Sequence, residues 1–215
     1  ATGLVSTPQF QSGSKFGTTG ACIIDPKAAF VPFKIPTYED LKSIYFDQLK
    51  SSAKSTVSPG INPANQGKLN SAVSPSDIQK SIFVDGDLQI NGNLTFNNAD
   101  IPIVVFVKNN LTISSDINYG KNSSSAGLVF VVGKEIAINT NVSEINAILI
   151  SQENIYTAGG GCTTSSVAGS QLTINGSLIS LNPDQPIKFC RSLSGNQNQT
   201  TPAEKINHQV KYLVL

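Results

Sequence analysis

Residues 81–90 read S-I-F-V-D-G-D-L-Q-I: an apolar run, a polar corner holding a glycine, and a short alternating run. The frame returns as V-K-N-N-L-T-I from Val107, V-G-K-E-I-A-I from Val132, S-Q-E-N-I-Y-T from Ser151 and I-N-G-S-L-I-S from Ile174. Counted from Val84, the spacings are 23, 25, 19 and 23 residues, a period that belongs to stacked structural repeats. The fold class this predicts is mainly β, a single-stranded β-solenoid of the right-handed parallel β-helix kind. Inward side chains of successive coils should stack, with Leu88, Leu111, Ile136, Ile155 and Leu178 forming one apolar column and Ile90, Ile113 and Ile138 a second. The corners supply a polar column of Asp87, Asn110, Glu135, Asn154 and Ser177, where Gly and Asn are expected because they tolerate left-handed backbone angles.

Upstream, Thr37-Tyr38-Glu39-Asp40 has the form of a capping box. Leu41, Ile44, Tyr45, Leu49 and Ala53 then follow at helical spacing until Ser58-Pro59-Gly60. The open ends of a solenoid present unpaired backbone groups, so this helix is expected to cap the N-terminal end or lie along one flank. Pro8, Pro26, Pro32 and Pro36 forbid a long helix before it, and residues 1–36 read as an extended arm. Residues 56–80 read as a polar connection. The chain therefore divides into an arm, capping helix and connection over 1–80 and a solenoid with its C-terminal cap over 81–215, together one compact unit. Inserts at 116–126 and 157–169 should protrude from the stack, where a rigid scaffold often carries function. A last strand is expected at 210–215.

The 215 residues are 39% hydrophobic, enough for a real core, yet only 13% charged with a net charge of +1. No Lys/Arg cluster offers a nucleic acid its electrostatic footprint. The longest apolar runs, such as Ile101 to Val107, are far too short to span a bilayer. With no Met and a start at Ala1, a processed beginning is expected, after removal of a signal peptide or a pilin-type helix. Abundant Ser, Thr, Asn and Gly with little charge suit an extracellular or cell-surface protein. Of the three cysteines, Cys162 and Cys190 are the preferred disulfide, Cys22 with Cys162 is the rival, and three reduced, buried thiols are the remaining reading.

Parallel β-helices often carry carbohydrate-active enzymes, so the acids and bases are candidates for a hydrolase or lyase set. They are Asp85, Asp87, Asp116, Glu135, Glu153, Asp184, Lys108, Lys134 and Arg191. Asp87 and Glu135 share a column but stand two coils apart, on the order of 10 Å at normal strand spacing, which fits an inverting pair only loosely. Asp85-Gly86-Asp87 falls short of the oxygens calcium needs and reads as a turn. Arg191, the single arginine, is expected to bond backbone carbonyls near the C-terminal cap. His208 and Cys162 have no local partners for metal or nucleophile chemistry. No catalytic, cofactor-binding or metal residue is assigned. Six Asn-x-Ser/Thr sites occur. Asn110 and Asn175 fall inside the repeat frame, leaving Asn122, Asn93, Asn141 and Asn198 as glycosylation candidates.

The I-F-V-D-G-D-L-Q-I, F-V-V-G-K-E-I-A-I and Q-L-T-I-N-G-S-L-I-S segments, with F-C-R-S-L and T-P-A-E-K-I-N-H-Q-V-K-Y-L, cover roughly residues 81 to 215. They resemble uncharacterised secreted bacterial β-helix proteins, some similar to the extracellular part of PilX-like pilus-associated proteins. The resemblance implies a cell-surface or filament setting and brings no catalytic residues. The expected function is a non-enzymatic extracellular structural protein, a surface or pilus-like filament subunit that self-associates or mediates adhesion. Its partners would be further copies, joined through the solenoid ends and the N-terminal arm. The alternative is a carbohydrate-binding or carbohydrate-active β-helix, with Tyr119 or Tyr156 as stacking platforms for a surface glycan.

Overall fold

Short runs of β-branched and aromatic residues form strands wherever the repeat places them, and each strand meets its counterpart one coil later. The computed structural model describes residues 34–57, 64–96, 100–123, 126–161, 166–209 and 211–212. The chain clusters into two units, Ala1–Ile35 and Pro36–Leu215; the second holds the fold. Sheet 1 stacks β1 (Lys54–Val57), β2 (Lys80–Val84), β4 (Ile103–Val107), β6 (Leu128–Val132), β9 (Ile148–Ser151) and β13 (Ser177–Ser180). Sheet 2 stacks β3 (Leu88–Ile90), β5 (Leu111–Ile113), β7 (Ile136–Ile138), β10 (Ile155–Tyr156) and β14 (Ile187–Lys188). Sheet 3 stacks β8 (Glu144–Ile145), β12 (Leu172–Asn175) and β16 (Glu204–Asn207), and β11 (Ser166–Ala168) pairs with β15 (Arg191–Leu193). The ladders run parallel throughout, as in β2 to β4 to β6 and β3 to β5 to β7. This is a β-solenoid.

The predicted columns are present over four coils. Leu88, Leu111, Ile136 and Ile155 lie in register and fully buried, and so do Ile90, Ile113 and Ile138. The fifth member is different. Leu178 pairs with Leu149 in sheet 1, and the strand beside Ile155 carries Ile187. The string I-N-G-S-L imitates the repeat frame, but its glycine turns the corner from sheet 3 into sheet 1. A Cβ on Gly176 would fall 1.9 Å from the Ala147 carbonyl oxygen, so the chain passes too close for any side chain. Ser177 accordingly leaves the polar column. The true corner is the Asn182–Pro186 turn, where the Gln185 side chain accepts from Asn154 Nδ2. Nor do the corner asparagines adopt left-handed angles: among the described residues every positive φ belongs to glycine. Those asparagines are there for their amides.

The capping box forms, Asp40 N–H donating to Thr37 Oγ1 at 3.2 Å and Thr37 N–H to Asp40 Oδ2 at 3.0 Å. The helix it starts, α1 (Tyr38–Lys42), passes into a π turn over Ser43–Asp47 and ends well before Ser58. Lys54–Val57, read as the helix end, is the first strand instead. The π turn redirects the expected apolar stripe: Ile44 and Tyr45 are 52% and 54% exposed, whereas Tyr38 and Phe46 are buried. Their partners are Phe106, Val129 and Val131 on the outward face of sheet 1, with Phe46 also 5.7 Å ring to ring from Phe83. That face is apolar because a helix covers it. The helix thus takes the flank position.

The N-terminal end is closed by a second helix that the sequence pattern did not announce, α2 (Ala64–Ser71). Leu69 of this helix and Val73 just after it are fully buried in the main core. It reaches three sides of the stack. Inward-facing Ser55 of β1 donates to the Ala72 carbonyl at 3.2 Å, α2 contacts β3, and Asn70 Oδ1 accepts from the Thr95 amide at 3.2 Å.

Candidate functional site

The corner joining sheet 1 to sheet 2 gathers most of the ionisable groups a sugar-processing site would draw on. Asp85, Asp87, Lys108 and Glu135 are engaged with a neighbouring coil. Asp85 accepts from Lys108 Nζ at 2.6 Å. Asp87 Oδ1 accepts from both the backbone and the side-chain nitrogen of Asn110 at 3.0 Å, and Asn110 Oδ1 accepts in turn from the Glu135 amide at 3.3 Å. Glu135 also accepts from Tyr156 Oη at 3.2 Å. The column expected at the corner is therefore a hydrogen-bonded ladder, with Asn110 filling the space between Asp87 and Glu135 that an inverting pair would need for water and sugar.

Asp116, on the first insert, lies in a nest of donors. It accepts from the Ser143 amide at 2.7 Å, the Ser143 hydroxyl at 2.8 Å and the Glu144 amide at 3.0 Å. Partial burial alone would raise its pKa, but these bonds and the charge of Lys121 outweigh it and hold the carboxyl below its ordinary value. A group held ionised in this way is a poor general acid. Glu153 and Asp184 belong to turns, their own amides donating to Ser151 Oγ and Asn182 Oδ1. His208 Nδ1 stands 3.1 Å from Ser177 Oγ. Among the described residues no cluster of three or more His, Cys, Asp or Glu side chains is arranged to hold a metal.

Arg191 has the expected role, and the fold explains why it is needed. The last two coils gain a fourth side from β11 and β15, which pair only with each other, so β11 has no strand on its other edge among the described residues. The buried guanidinium donates to the carbonyls of Asn139 (2.8 Å), Val142 (2.6 Å), Thr157 (3.2 Å) and Ser170 (3.4 Å). Burial lowers its pKa while Glu204 and Asp116 oppose the shift; it stays a cation. Glu204 completes the lock by accepting from the Arg191 amide at 2.9 Å and from Thr157 Oγ1 at 2.6 Å.

The two tyrosines named as stacking platforms are buried. Tyr119 donates to the Ile101 carbonyl at 2.7 Å and packs edge-on against Phe96, and burial pushes its phenol up to about 12. Tyr156 sits under Lys188, whose Nζ lies 5.1 Å from the ring centre. Neither offers a face to a sugar.

All four glycosylation candidates, Asn93, Asn122, Asn141 and Asn198, are exposed, but two of them use their side-chain amides within the fold. Asn141 donates its amide to the Ser114 carbonyl at 2.6 Å, and Asn198 uses its side chain to bind both backbone groups of Leu193. Cys22 and Cys162 lie outside the described residues, and so therefore do both proposed pairings. The N-terminal arm lies outside them too, as do residues 210 and 213–215 of the expected last strand; Lys211 and Tyr212 form a helical turn there and not a strand.

A second ladder, at the third corner, lies outside the sequence-based expectations. Asn207 Nδ2 donates to Asn175 Oδ1 at 3.0 Å and Asn175 Nδ2 to Asn146 Oδ1 at 3.1 Å, while Asn146 Nδ2 reaches the Ile117 carbonyl at 2.9 Å. Ile-Asn occurs seven times, at 61, 90, 117, 138, 145, 174 and 206, and the isoleucines at 117, 145, 174 and 206 are the stacked column of sheet 3.

The chain matches no known protein family, no curated protein and no solved structure.

Proposed function

We propose that this protein is a non-enzymatic extracellular structural protein, a cell-surface or filament subunit that self-associates or mediates adhesion. The observation that carries this reading is the corner ladder: Asp85, Asp87 and Glu135, with Asp116 on its insert, are bound to the neighbouring coil. Residues placed to hold coils together serve rigidity, the property a surface scaffold needs. Cysteine use supports the extracellular setting. Cys190 is half-buried, and its pairing with Cys162 in a disulfide is part of the proposal.

Protease shaving of intact source cells, followed by mass spectrometry, should release peptides of this chain, and recovery only after lysis would refute the surface assignment. Intact mass without reductant should fall two hydrogens below the reduced value. Incubation with a panel of acidic and neutral polysaccharides should release no reducing ends or unsaturated products. Turnover lost in Asp87→Asn would establish the carbohydrate-active alternative instead.

A further inference from the structure

The two ends of the solenoid are unlike. At the N-terminal end α2 crosses β1, β3 and the Thr95 segment and buries Leu69 and Val73 completely. At the C-terminal end, β13, β14 and β16 are the last strands of their sheets among the described residues. The inward columns run up to them and stop. Leu178 above Leu149 and Ile187 above Ile155 are only partly buried. Ile206 is 44% exposed although Ile174 and Ile145 below it in the same column are at 0%. This surface is a cross-section of the core: tips of apolar columns bordered by backbone groups with no strand beyond them among the described residues, the arrangement that invites edge pairing.

We infer that the protein pairs with a second copy of itself through this end, C-terminal coil against C-terminal coil, as a closed dimer. The inference rests on the self-associating reading above and specifies its surface. What fits a coil cross-section is another coil of the same outline, because both the column tips and the rows of N–H and C=O groups must be met together. The N-terminal end of a neighbour offers no such outline, since α2 occupies it. The matching surface is therefore the same end of another copy, and a patch that pairs with itself closes on a two-fold axis. The last strands and the turn between them carry both signs, Asp184 and Glu204 with Lys188 and Lys205, so no ring of one sign repels a like end. A head-to-tail filament is not built from this contact.

Sedimentation of the full chain from micromolar to millimolar concentration tests it. The mass should rise from one copy and level at two. Ile206→Lys, on the exposed column tip, should weaken association at least about thirtyfold. Ile44→Lys, on the equally exposed flank helix, should leave it unchanged. Hydrogen exchange of the unmodified protein gives a readout independent of any variant: protection over Glu204–Asn207 should rise with concentration while that of α2 stays constant. Mass climbing past two copies would overturn the closed dimer yet leave self-association standing. A single copy at every concentration would overturn both. A dimer indifferent to Ile206→Lys, with no added protection in β16, would place the contact elsewhere.

Discussion

Single residues carry unusual weight where a repeat changes shape, and Arg191 is the clearest case. Four backbone carbonyls from two coils converge on one guanidinium, so truncation strands buried acceptors as well as removing a charge. Arg191→Met should cost about 3 kcal/mol in denaturant unfolding, and Arg191→Lys should recover only part of it, because an ammonium lacks the planar fork. Equal stability of Arg191→Met and the unmodified protein would refute the lock. Asp116 makes a pH prediction. Its folded pKa lies below the unfolded value of about 3.9, so its contribution is fully present above that value and is lost as pH falls through the folded pKa. The stability gap between the unmodified protein and Asp116→Asn should therefore be constant from pH 5 to 7, within about 0.5 kcal/mol, and should shrink in more acid solution. A gap that widens on acidification would contradict the donor nest.

At the level of elements, period and corner composition made the stacked strands legible, because inward positions in four consecutive coils are all Leu or Ile. The fifth coil misled for a physical reason: glycine is needed both where a turn must bend and where two backbones nearly touch, and the string around Gly176 looks the same in either role. Helix α2 left little trace, since Leu69 and Val73 do not form an amphipathic stripe and gain burial only from the coil above them. The π turn was equally silent; helical spacing put Ile44 and Tyr45 inward, and one wider turn moved Phe46 there. The candidate site was legible as a column of residue types, while its bonds were not, because whether Asp87 faces water or Asn110 depends on coil register. These placements separate by mutation. Leu69→Ala should cost 2–5 kcal/mol, the usual range for a fully buried leucine, and Ile44→Ser less than about 0.5 kcal/mol. Chemical denaturation measures both, and a reversed order would return the helix to its expected face.

For the whole molecule, stability in a stack is a sum of coil terms and neighbour terms, so the two ends should differ in dynamics as they do in structure. Central strands such as β5 and β7 are paired on both edges and enclosed by buried columns. The first rung, β1, has one strand neighbour but gains α2 and the Ser55 bond to Ala72. The last rung has a neighbour on one side and half-exposed core residues on the other. Arg191 modifies this simple gradient by tying the last coil to the Asn139–Val142 turn two coils down. Fraying should then proceed in a block: at micromolar concentration, hydrogen exchange should release β13 to β16 together, well before β1 and long before β5 and β7. In Arg191→Met the block should divide, with β16 opening ahead of β12. Uniform protection along the chain would mean that the solenoid opens only by global unfolding, and that the lock does not set the size of its cooperative unit.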